Sequence, residues 1–104
     1  MNPVSVNKVQ FKEYLKNVGM SVNTANSYLS ALNKVTASIR NICEIDLGSI
    51  YAVVDTRLLN HWQKMLIGTD EFDTINRERN GSPRAALKKY IEYSKYLSRK
   101  QSNR

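Results

Sequence analysis

Apolar residues recur along this chain at helical rather than alternating spacing. Phe11, Tyr14, Leu15 and Val18 predict a first helix over about residues 7–18, with Ser5 or Asn7 as its N-cap and Gly19 as its stop. Ser21 then caps a longer helix. Its apolar positions are Ala25, Tyr28, Leu29, Leu32, Val35, Ile39 and Ile42, the cleanest ladder in the sequence. From Cys43 to Val54 the pattern is mixed and Gly48 interrupts it, so this stretch reads as a connection with one helical turn at 49–53. Asp55 or Thr56 caps a third helix with Leu58, Leu59, Trp62, Met65 and Leu66 on one face and Gly68 at its end. Phe72 and Ile75 mark a weak helix or an irregular lead-in over 70–79. Asn80-Gly81 signals a turn, and Ser82-Pro83 reads as an N-cap followed by proline at the first helical position. The last helix, about 82–100, turns Ala86, Leu87, Tyr90, Ile91, Ser94 and Leu97 inward, and the tail 101–104 reads as frayed. No β pattern survives. The expected fold is all-α, a compact bundle of four to five helices forming one domain over 1–104, with Phe11, Tyr28, Leu32, Trp62 and Tyr90 among its buried anchors.

Length and composition narrow the function classes. At 104 residues with 41% apolar content, the chain can fill one modest core. No apolar run approaches the ~18 residues of a membrane span, and the N-terminus lacks the pattern of a signal peptide. The reading is a soluble cytoplasmic domain, nucleoid-associated when bound to DNA, with no membrane partner. Cys43 alone supports neither a disulfide framework nor a cysteine zinc cluster, and His61 alone leaves little for a metal site or a triad. Trp62 reads as a core anchor, His61 as a surface or boundary residue, and Cys43 as a small buried apolar group. Asp70, Glu71 and Asp73 read as carboxylates favoured by a helix start. No catalytic residue, metal ligand or cofactor is assigned, and the chain is not expected to be an enzyme.

Charge changes the picture more than composition does. The net +7 is unevenly spread: +4 over residues 1–43, −4 over 44–76 and +7 over 77–104. On the last helix Arg84, Lys88, Lys95 and Arg99 fall in one stripe beside the apolar face, interrupted by Glu92. Lys89 and Lys100 lie on the other flank with Tyr93 and Tyr96. Such a stripe offsets phosphate charge while tyrosine hydroxyls donate to phosphate oxygens. The competing reading is a solubilising face whose long stems cover the core rim. The second helix offers another surface, rich in amides and hydroxyls. Its first turn carries Asn23, Thr24, Asn26 and Ser27, with Lys34 further along; these groups can meet base edges or phosphates, or simply face water.

Two local patterns resemble the SAM-like, core-binding N-terminal domain of tyrosine recombinases (phage integrases). The first is Phe11-Lys-Glu-Tyr14-Leu15, then Gly19-Met-Ser21-Val-Asn-Thr24, then Tyr28 and Leu32. It looks like that family's short helix, tight turn and second helix. The other is Asp55-Thr-Arg-Leu58-Leu59, followed by Ser82 and Ala86-Leu87-Lys-Lys-Tyr90-Ile91, which looks like its third and fourth helices. The resemblance spans about residues 7–100 and implies a domain that clamps one side of duplex DNA, mainly with its second and last helices. It also implies that the catalytic tyrosine and its Arg, His and Lys partners belong to a separate C-terminal domain, absent from this chain, so Tyr90, Tyr93 and Tyr96 are not nucleophiles. The ending Asn76…Ala86-Leu87…Tyr90 also resembles N-terminal modules of restriction-type or HNH nucleases. The leading expectation is therefore a noncatalytic module for double-stranded DNA. The alternative is a helical protein–protein interaction domain, one that self-associates or meets a partner through its acidic middle.

Overall fold

The computed structural model describes residues 2–102, and they form a helical bundle without strands. The helices are α1 (Pro3–Asn17), α2 (Val22–Ile42), α3 (Thr56–Leu66), α4 (Asp70–Glu78) and α5 (Ser82–Ser102), with a 3-10 turn at Ile50–Ala52. The all-α expectation holds, and the weak 70–79 segment is a genuine helix. Gln101 and Ser102 are helical rather than frayed; Asn103 and Arg104 lie outside the described residues.

Helix boundaries follow local chemistry. α1 begins earlier than its apolar spacing implies. Asn2 caps it by accepting the Ser5 amide at 2.8 Å, and Pro3 opens the helix where its missing N–H costs nothing. Gly19, at φ +91°, lets the Met20 amide return to the Leu15 carbonyl (3.0 Å), which closes α1 and aims the chain into α2. Ser21 caps α2 by accepting the Thr24 amide, and its own hydroxyl donates to the Thr24 hydroxyl at 2.9 Å. Asp55 accepts the Arg57 and Leu58 amides at the start of α3. Thr69 accepts the Phe72 amide at the start of α4, whose first turn carries Asp70, Glu71 and Asp73 against the positive end of the helix dipole. Ser82 lies inside α5 rather than capping it. The acceptor is the Asn76 side chain, which takes the Arg84 amide at 3.0 Å across the left-handed Asn80-Gly81 turn.

α2 is the central helix, and its closest partner is α5. Leu32, Val35 and Ile39 of α2 and Leu87, Tyr90 and Ile91 of α5 share one core with Phe11, Leu15, Leu59, Trp62 and Leu66. Three apolar positions expected inside are not: Val18 is the exposed C-cap of α1, and the other two lie on α3. Leu58 and Met65 are exposed, because they sit on the edge of the arc that Leu59, Trp62 and Leu66 bury. Tyr28 is only half-buried.

One buried position reads as polar in sequence yet organises the core. Asn7 is not an N-cap: it sits 9% exposed inside α1, facing the 3-10 turn and α5. Its Nδ2 donates to the Tyr51 carbonyl (2.8 Å) and the Tyr90 hydroxyl (2.7 Å), and its Oδ1 accepts from the Tyr93 hydroxyl (2.6 Å). Tyr90 in turn donates to the Val53 carbonyl at 2.7 Å. Tyr93, placed on the charged flank by sequence, is 1% exposed and packs its ring 5.3 Å from Phe11. The irregular 43–55 connection is held by side chains: the Thr36 hydroxyl accepts the Ile50 amide, and Arg40 donates to the Leu47 carbonyl.

Candidate nucleic-acid interface

The basic positions of α5 do not act as one stripe. Arg84, Lys88 and Lys95 line a groove of about 470 Å³ between α5 and α3, with Asn60, Gln63 and Ile67 on the opposite wall. These residues meet because α3 and α5 pack side by side, leaving the flank of each buried arc at the seam. Arg84, Lys88 and Lys95 are exposed, and none lies within ion-pair distance of a carboxylate among the described residues. Glu92 shares this groove but pairs with Lys89 at 3.1 Å, so it draws off the one cation on the far side of its own turn. Three formal charges therefore face solvent with two side-chain amides opposite them.

The rest of the stripe goes elsewhere. Arg99 and Lys100 line a second groove, between α1 and α5, whose walls include Val9, Tyr14, Val18 and Tyr96. The Lys100 ammonium lies 6.0 Å from the centre of the Tyr96 ring, a cation–π distance, and that ring is 41% exposed. Of the three tyrosines on α5, only Tyr96 is available at the surface. Tyr90 and Tyr93 spend their hydroxyls inside the core, and burial pushes both phenols above their usual range.

The polar first turn of α2 is exposed, but on another side of the bundle. α2 and α5 pack through their buried arcs, which turns their solvent faces away from one another. Asn26 and Ser27 line a shallow groove with Arg79, Asn80 and Ser82. Asn26 also lines a neighbouring groove with Lys8, Lys12 and Asn33. The Thr24 hydroxyl already bonds with the Ser21 cap. Asn23 and Lys34 are exposed and line neither groove. The α2 and α5 positions singled out by sequence thus fall in separate grooves or, like Asn23, Thr24, Lys34 and Lys89, in none of them.

Sequence reasoning missed Asn60 and Gln63 on α3 and Lys8, Lys12 and Arg79 around α2. The i, i+4 spacing of Lys8 and Lys12 was the one available signal; nothing local marks Asn60 or Gln63, whose relevance comes from the neighbouring helix. Elsewhere, His61 is exposed on α3, and Cys43 is half-buried against the core, where burial pushes its thiol up. Among the described residues no three His, Cys, Asp or Glu side chains come together as metal ligands, and no helix is long and apolar enough to cross a membrane. No family model, curated protein or solved structure matches the chain.

Proposed function

We propose that this chain is a noncatalytic module for duplex DNA, of the kind that forms the N-terminal arm of a tyrosine recombinase, acting in the cytoplasm on the nucleoid. The observation that carries this reading is the trio Arg84, Lys88 and Lys95, exposed, unpaired and facing the Asn60 and Gln63 amides across one groove. Cations in that arrangement offset phosphate charge and release counterions, while amides donate to phosphate oxygens or read base edges. The resemblance of 7–100 to core-binding domains points the same way, although α3 replaces α2 as the partner of α5 at the contact. The catalytic chemistry of such a protein would lie in another domain.

A dye on Lys64→Cys, an exposed α3 position next to Gln63 that does not line the groove, in a Cys43→Ala background, reports its occupancy. Titrated with duplex DNA, its apparent log K should fall with log salt at a slope of about −2.7 for three phosphates, and about −0.9 after Lys88→Ala/Lys95→Ala. A slope unchanged by that double substitution would overturn the reading. A second reading, a helical interaction module, is favoured by the aromatic groove between α1 and α5, where Val9, Val18 and Tyr96 are exposed. It predicts a partner whose affinity changes little with salt.

A further inference from the structure

A second surface suited to a polyanion lies across the bundle from the α3–α5 groove. Asn26 and Ser30 of α2 each line two adjoining grooves, so the two form one continuous track. Lys8 and Lys12 of α1 flank it on one side, and Arg79, in the turn between α4 and α5, on the other. Among the described residues no carboxylate lines either groove, unlike the α3–α5 groove, which contains Glu92. The Arg79 guanidinium donates to the Ser30 hydroxyl at 3.4 Å, which brings the cation over α2. The exposed hydroxyl and amide groups between the cations supply hydrogen bonds that phosphate oxygens accept.

The track and the α3–α5 groove share no residue, and the core formed by α2 and α5 stands between them. α1 and α3 each flank the central α2–α5 pair without packing closely on one another, so a straight duplex in the α3–α5 groove does not reach Lys8 and Lys12 of α1 without bending around the body. We infer that one molecule holds two DNA segments at once, one in the α3–α5 groove and the second along the Lys8–Lys12–Arg79 track. The occupant of the track is a second duplex because its phosphate charge complements three cations with no carboxylate among the described lining residues, and because the amides and hydroxyls of Asn26, Ser27, Ser30 and Asn33 lie between those cations. This inference rests on the DNA-binding reading above.

The test is retention of a fluorescent duplex on beads that carry an unlabelled duplex, in low salt, run beside the Lys64→Cys dye titration. The unsubstituted chain should retain the fluorescent duplex. Lys8→Ala/Lys12→Ala should reduce retention to that of beads without protein, while the groove dye still reports duplex binding at unchanged affinity. Lys88→Ala/Lys95→Ala should also lose retention, with the dye signal weakened. Lys8 and Lys12 make no side-chain hydrogen bond or ion pair among the described residues, so their removal should leave the fold intact, and the far-ultraviolet circular dichroism of the variant checks this. Retention that survives Lys8→Ala/Lys12→Ala would overturn the inference and assign bridging to self-association through one surface. Groove binding without retention would overturn it and leave the DNA reading standing. A silent dye would overturn both.

Discussion

Replacing Asn7 by alanine probes the buried network that joins α1, the 3-10 turn and α5. On an exposed helix face the change would slightly stabilise the protein, because alanine is the better helix former. Here the sign should reverse. The substitution strands two buried polar groups, the Tyr93 hydroxyl and the Tyr51 carbonyl, while Tyr90 keeps the Val53 carbonyl as acceptor. Each stranded group costs ~1–3 kcal/mol, giving a loss of about 2–6 kcal/mol. Against the ~5–15 kcal/mol of an ordinary domain this is a large fraction. Urea unfolding followed by the fluorescence of Trp62, the single tryptophan, measures it directly. Tyr93→Phe supplies the control, since it removes the donor that Asn7→Ala strands. The double variant should be more stable than the sum of the single losses implies, by ~0.5–3 kcal/mol. A stability of Asn7→Ala within about 0.5 kcal/mol of the original, the range of surface changes, would refute the network's role. So would strictly additive losses.

Trp62→Ala should cost ~3–5 kcal/mol by emptying a core site, whereas the neighbouring exposed Met65→Ala should stay within about 0.5 kcal/mol; denaturation followed by circular dichroism reads both, and equal losses would mean that α3 is rotated. Alkaline pH should destabilise the fold. Burial raises the Tyr51 and Tyr90 phenols well above their usual range, so the native state keeps protons that the unfolded chain releases above pH ~10. The stabilisation is complete below that pH and declines as pH climbs from there toward the native-state values, at up to about 3 kcal/mol per pH unit for the two groups. Urea midpoints should hold between pH 9 and about 10 and fall from there to pH 11, and a profile flat to pH 11 would contradict the burial of these hydroxyls.

What the sequence determined is what depends on neighbours within a few positions. The α2 ladder, the Ser21 and Asp55 caps and the glycine after α1 act over one helical turn, so spacing and residue type suffice to place them. An all-helical bundle with Leu32, Trp62 and Tyr90 inside follows from those local rules. Tertiary structure decided whatever depends on distant partners. Asn7 has the side chain of a cap, and only residues 44 to 86 positions away make it a core group. Tyr93 belongs to the charged flank on a helical wheel, but α1 covers that flank and supplies the acceptor for its hydroxyl. Asn76 caps a helix from eight residues upstream because the left-handed turn between α4 and α5 folds it back. The basic positions of α5 form one stripe only on an isolated helix. Packed against α3 on one side and α1 on the other, they divide between two grooves, since a groove is a property of two helices and the sequence pattern of one helix contains only half of it.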